Sequence, residues 1–327
     1  MTTTVLRSIR HPRWLIGVVL ATAAAVFAFA SPASATFPGT NGLIAFSADT
    51  GNGFQLYTVR ANGHDLDRIT NVLGDAVNAE WSPDGRMIAF ELDHPSGEPG
   101  CSIMLMNSGG TGMTDLTGQR NGCEAQPSFT PDGRQIVFER YDDITNIDAI
   151  WSMNLTGGDR HLITTGTNNG VTDPNVSPDG KTLSYIDFNA TSFGSALYTS
   201  GLDGGNPFQL TPFDFDVAIK HDWAPDGERL VFTANGDSHK PGISSNIATI
   251  RPNGTGLRYL THYRGGDVNA FVGSYSPDGR SIVFRFEDHG QYGLYTIRTD
   301  GSHRHVILPL SNFKPRFIDW GSHTNSR

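Results

Sequence analysis

The chain has 327 residues, 37% of them hydrophobic and 10% aromatic, which is ample for a packed globular core. It carries 33 acidic against 24 basic residues, a net charge of −9. That balance excludes the basic footprint of a nucleic-acid binder or of a protein drawn to anionic lipid, and it suits a cationic partner or a metal.

Residues 1–35 follow a different pattern from the rest. Arg7, Arg10 and Arg13 form a positive segment, Trp14 to Ala30 is apolar throughout, and Ala33-Ser34-Ala35 offers small residues for cleavage before Thr36. This reads as a general secretory signal, since no two arginines are adjacent and no cysteine follows the apolar run. An uncleaved N-terminal anchor is the alternative, although seventeen apolar residues are short for a membrane span. The expectation is export into a periplasmic-type or extracellular space, with no stable span after cleavage.

From residue 36 onward the chain is built of repeats. Pro-Asp-Gly recurs at Pro83, Pro131, Pro178, Pro225 and Pro277, at intervals of 48, 47, 47 and 52 residues. Each follows a short strand ending on a large apolar residue: Trp81, Phe129, Val176, Trp223 or Tyr275. Proline pre-sets φ at the second turn position, aspartate suits the third, and glycine accepts positive φ as the chain leaves. An apolar run then supplies a second strand (MIAF, QIVF, TLSY, RLVF, SIVF). A third strand ends in a glycine-containing turn, and a less regular fourth is centred on RIT, DLT, LIT, QLT, YLT and VIL. Four antiparallel strands per unit at this period predict an all-β fold, a β-propeller.

The two ends supply the blade count. Asn41 to Thr70 has strands two to four but no first strand, whereas Arg316 to His323 has the aromatic first strand and nothing after it. Trp320 lies 45 residues beyond Tyr275, where the next aromatic belongs. A six-bladed propeller over residues 36–327 is therefore expected, its ring closed by the C-terminal strand completing the N-terminal blade. Closure removes the free sheet edges that invite aggregation.

The pattern WSPDG…IAF…LYT…DG…LT resembles the WD-like repeat of TolB-type β-propellers, from Asn41 to His323. The resemblance implies a stand-alone exported propeller. TolB carries an α/β domain before its propeller, and only a few residues here separate the expected cleavage site from the first unit. Prolyl-oligopeptidase relatives carry a hydrolase domain after theirs, and no G-x-S-x-G elbow occurs in this sequence.

The Pro-Asp-Gly turns share one face of such a disc with the turns between strands three and four. The loops between strands two and three share the other face with the connections from unit to unit. The second face is long and varied, and candidate ligand residues collect there: Asp93 and His94, Asp142 and Asp143, Asp237 and His239, Asp288 and His289. His221 and Asp222 join them in the dense cluster with Asp214, Asp216 and Lys220. Histidine near carboxylate can hold a divalent cation, the one candidate cofactor, or do acid–base work; solvated polar loops have the same composition.

The residue before each first-strand aromatic is polar in all six units: Glu80, Ser128, Asn175, Asp222, Ser274 and Asp319. Two readings stand, a cation-attracting ring around a central channel and a set of hydrogen-bonding ties between neighbouring blades. Cys101 and Cys123, the only cysteines, are expected to form a disulfide on the second face. The functional expectation is a binding or scaffold module for an envelope or extracellular protein. The alternative is a carbohydrate-active lyase or glycosidase using the histidine–carboxylate face.

Overall fold

The computed structural model describes residues 37–323, apart from 50, 96, 97, 99, 119–121, 167–169, 190, 192, 193 and 236–241. The expected signal segment, Asp237 and His239 lie outside the described residues. Among those described, no helix is long and apolar enough to cross a membrane.

The chain forms short antiparallel strands throughout. The first unit comprises β1 (Asn41–Asp49), β2 (Phe54–Val59) and β3 (Asp67–Arg68). Next come β4 (Asp75–Trp81), β5 (Met87–Asp93), β6 (Cys101–Asn107) and β7 (Thr114–Asp115). They are followed by β8 (Cys123–Phe129), β9 (Gln135–Asp142), β10 (Ile147–Asn154) and β11 (His161–Thr164). The fourth group is β12 (Val171–Val176), β13 (Thr182–Asn189), β14 (Gly194–Gly201) and β15 (Phe208–Gln209). A 3-10 turn, Phe213–Phe215, leads to β16 (His221–Trp223), β17 (Leu230–Ala234), β18 (Asn246–Ile250) and β19 (Arg258–Tyr259). The last strands are β20 (Val268–Tyr275), β21 (Ser281–Asp288), β22 (Gln291–Arg298), β23 (His305–Ser311) and β24 (Arg316–Ser322).

These strands make four four-stranded sheets and one eight-stranded sheet. The expectation of six separate sheets is corrected at one place. β4–β7 and β8–β11 are each antiparallel, but β6 and β8 pair in parallel at Cys101 and Cys123. The disulfide there brings the two Cα atoms to 4.5 Å, merging two neighbouring units into one sheet. The closing strand is where the sequence places it: β24 pairs antiparallel with β1, Trp320 opposite Ile44 and Asp319 opposite Ala45.

Apolar residues from adjacent units meet in clusters. Trp81 and Phe90 pack with Ala45 and Leu56, and Phe129 and Phe138 with Ala89 and Ile103. Tyr185 packs with Val137, Trp223 with Leu197, and Tyr275 with Val231. Val283 and Leu294 then pack against Phe46 and Trp320, so the last unit meets the first. Each buried aromatic contributes about 2–3 kcal/mol of transfer free energy to its seam.

The repeat's turn residues act locally. Ser82, Thr130, Ser177 and Ser276 each donate a hydroxyl hydrogen bond of 2.7 Å to the aspartate two residues on. The same aspartate oxygens accept from Arg86, Arg134, Lys181 and Arg280 N–H. Gly85 leaves the first of these turns at φ 66°, as the turn requires.

The threonine of the fourth-strand motif has a second role. Thr70, Thr117, Thr211 and Thr261 accept the third-strand N–H of Leu56, Ile103, Leu197 and Ile247 on their hydroxyls at 2.8–2.9 Å. A side chain thus replaces the next ladder carbonyl, and the outer strand stops after two residues in β3, β7, β15 and β19. Short edge strands limit sheet-to-sheet aggregation.

Candidate functional site

The innermost strands carry a bulge that the sequence does not announce. Three residues before the closing apolar residue, Asn78, Gln126, Asp173, Lys220 and Phe317 adopt φ between 48° and 92°, in the left-handed region. Pairing shifts register at the same points in β4, β8 and β12. A bulge re-aims side chains, and here it determines which polar groups reach the neighbouring unit.

Three of the six ring positions serve as ties between units. Asp222 Oδ2 accepts the Tyr275 N–H at 2.8 Å, Ser274 Oγ that of Trp320 at 2.7 Å, and Asp319 Oδ2 that of Trp81 at 2.9 Å. Ser128 and Asn175 are buried, and the Asn175 carbonyl accepts from Ser184 Oγ and Trp223 Nε1. These contacts join neighbouring units.

Glu80 is the exception. Its carboxylate lies 3.3 Å from Lys220 Nζ, a contact between residues 140 apart in sequence, and both side chains are 12% exposed. Burial, then the charges of Asp319 and Asp222, push the Glu80 carboxyl well above its usual range. Burial opposes the Lys220 charge, but Glu80, Asp319, Asp173 and Asp222 together outweigh it and hold the ammonium above the ordinary lysine value. One cation thus serves several inward carboxyl groups.

Beside Lys220 runs a buried Ser–His–Asp relay. His221 Nδ1 lies 2.7 Å from Asp173 Oδ2, and His221 Nε2 lies 2.7 Å from Ser184 Oγ. Asp173 Oδ2 also accepts the N–H groups of Lys220 and His221 at 3.0 and 2.8 Å. Burial would raise the Asp173 pKa, but His221 and Lys220 hold it below the usual carboxylate value. The spacing is that of a nucleophile, base and orienting acid. Ser184 and His221 are, however, fully buried, so no substrate reaches the hydroxyl in this conformation. The relay ties β12, β13 and β16 together. Sequence reading singled out His221 but missed Asp173 and Ser184, which lie on other strands.

The loop-face residues stay within their own units. His94 Nε2 lies 2.9 Å from Ser102 Oγ, and Asp142 Oδ1 accepts the N–H groups of Ile144 and Thr145. Asp143 is exposed beside it, and His289 Nδ1 lies 2.5 Å from Asp288 Oδ1. Asp288 and the hydrogen bond to it raise the His289 pKa. Asp214 is exposed and Asp216 ends the 3-10 turn, so the dense cluster divides between loop face and interior.

Among the described residues, the group with metal-ligand spacing is Glu91, Asp93, Cys101 and Cys123, whose donor atoms lie within 4.8 Å of one another. The disulfide withdraws both sulfurs from ligation, leaving two carboxyls. Burial, then the Asp93 charge, raises Glu91 to about 8, while Glu91 Oε2 accepts from Asn78 Nδ2 at 2.6 Å and Gln126 N–H at 3.2 Å.

The model of the TolB β-propeller domain family matches residues 20–172. Over those residues the chain resembles the TolB-type β-propeller. TolB from Acinetobacter baumannii superposes with a TM-score of 0.70 at 21% identity, over 86% of this chain and 67% of that one. A putative TolB from Agrobacterium tumefaciens gives 0.64 at 16% identity, over 84% and 91%. A chain of a nidogen/laminin complex gives 0.65 at 14% identity, over 86% and 98%. At these identities the TolB-type likeness concerns fold. No curated protein matches the sequence.

Proposed function

We propose that this TolB-type propeller is an exported binding or scaffold module that engages an envelope or extracellular protein through its loop face. In this reading residues 1–35 are removed and residues 36–327 form six four-stranded blades, the eight-stranded sheet counting as two. The observation that carries the reading is the division of labour between interior and face. Inward ionisable groups are committed to one another, as in Lys220–Glu80 and His221–Asp173. Bulky apolar side chains stand in solvent on the loop face, Leu73 84% and Ile144 76% exposed.

An oxidising compartment suits the disulfide. The nidogen/laminin neighbour is part of a protein–protein complex, which supports the same kind of use here. The test places a photo-crosslinker at Leu73 or Ile144 and, separately, at Arg86 or Arg134 in the Pro-Asp-Gly turns. Capture of one envelope protein from the loop-face positions alone is expected. Equal capture from both faces, or none, would remove the proposal. N-terminal sequencing should find the exported chain beginning at Thr36.

A further inference from the structure

We infer that the seam between β21 and β24 is a binding site for an oxyanion, held by Arg285, Arg316 and Lys314. In three other seams the same place holds an acceptor. The residue after the second-strand aromatic reaches the next unit's innermost strand. Glu91 accepts the Gln126 N–H, Thr233 Oγ1 accepts the Val272 N–H at 2.8 Å, and Glu139 accepts the Thr172 hydroxyl. Each of these side chains supplies an acceptor.

In β21 that position is Arg285, and in β24 the counterpart of Thr172 is Arg316. A guanidinium has only donors. Where those three seams pair an acceptor with a donor, this one sets two donors together. Arg285 Nε and Arg316 Nε are both buried with no hydrogen-bond partner. Lys314, just before β24, adds a third cation. Glu287 pairs with Arg285 Nη2 at 3.9 Å, an ion pair too long for a hydrogen bond.

Aromatic rings position the cations. Arg285 lies 4.0 Å from the Phe271 ring centroid, Lys314 4.3 Å from that of Tyr292, and Arg316 5.1 Å from that of Phe54. Phe54, Tyr292 and Arg316 lie at the loop-face ends of their strands and Lys314 just before β24, while Arg285 and Phe271 stand mid-strand, Arg285 retaining 12% of its side-chain exposure. Burial, then repulsion from Arg285, lowers the Lys314 pKa. In a chain of net charge −9, three converging cations with two unsatisfied buried donors form a cradle for a group with two or more anionic oxygens. A carboxylate or a phosphate has that chemistry, and planar guanidinium forks favour bidentate recognition.

The inference does not rest on protein capture, because it is read with small anions. The intact chain is titrated by calorimetry in low-salt chloride buffer, with inorganic phosphate in one arm and glucuronate in the other. Saturable binding in at least one arm is expected; phosphate alone indicates a phosphoryl ligand, and glucuronate alone a carboxylate. Lys314→Gln and Arg316→Gln should each weaken binding by about tenfold or more. Lys314 lies in a connection outside the strands, so its variant tests the site even where Arg316→Gln disturbs folding. Silence in both arms, or Lys314→Gln binding as tightly as the parent chain, would overturn the site.

Discussion

Asp222 Oδ2 accepts the backbone N–H of Tyr275 at 2.8 Å, so a carboxylate of one unit's innermost strand completes the hydrogen bonding of the next. Ser274 with Trp320 and Asp319 with Trp81 repeat the relationship around the seam where the chain closes. Ser274→Ala leaves a buried N–H without an acceptor and should cost about 1–3 kcal/mol in urea unfolding. Asp222→Asn retains an acceptor oxygen and should cost less than Asp222→Ala. Equal losses for the two Asp222 variants would argue against the tie.

Lys220 compensates carboxyl groups from several units, so its removal should be severe. Lys220→Met is expected to destabilise by about 3–5 kcal/mol at pH 8, the cost of unpaired buried charge. The loss should shrink on acidification, because Glu80 and its neighbours then take up protons. Stability curves that differ from the parent by a constant amount at every pH would refute this account.

Glu91 and Glu139 are both raised from 4.5 to about 8, burial being the first cause in each. A raised folded pKa gives a contribution fully present below 4.5 that is lost as pH rises through 8. Unfolding free energy should therefore fall between pH 5 and 8, by up to about 1.4 kcal/mol per pH unit for each group. Glu91→Gln and Glu139→Gln should each remove part of that slope. Asp173 acts oppositely: its pKa is lowered, so its contribution is lost only in acid. A slope unchanged in both glutamine variants would contradict the assignment.

The Cys101–Cys123 bridge spans 22 residues and joins β6 to β8. Its loss through paired alanine substitution should cost about 3 kcal/mol on the chain-entropy estimate. Denaturation with and without a thiol reductant checks this, the double variant serving as the reductant-insensitive control. Mass spectrometry of the unreduced chain should find no free thiol.

The pairing of β24 with β1 ties residues at opposite ends of the chain, Trp320 and Ile44. A chain ending before Phe317 loses Ile318 and Trp320 from the closing apolar cluster and leaves β1 as an open edge. Cooperative thermal unfolding should disappear in that truncation. A soluble, sharply melting product would rule out the latch as a requirement.

The repeat was legible because its signals are local. Proline, aspartate and glycine at fixed offsets form a turn whatever surrounds them, and Asp84 caps its own turn as that chemistry predicts. The missing first strand before Asn41 and the solitary one at Trp320 were likewise enough to place the closing pair. The site was less legible. The polar ring shared one sequence position, yet Asp222 and Ser274 became ties while Glu80 became an ion-pair partner. That choice depends on the neighbouring unit and on a bulge bearing residues as different as Asn78 and Phe317.

The sequence by itself determined the strand order, the turn chemistry, the closing strand and the cysteine pair, since each follows from spacing along the chain and from residue shape. Only the tertiary structure decided which charges meet. Lys220 and Glu80 are 140 residues apart, and Arg285 neighbours Arg316 in a seam where three others pair an acceptor with a donor. Electrostatic energy depends on distance and burial in space, and a repeat that packs its units against one another brings remote residues within a few ångströms. The same periodicity that makes the fold readable leaves the chemistry of each seam to the residues that vary within it.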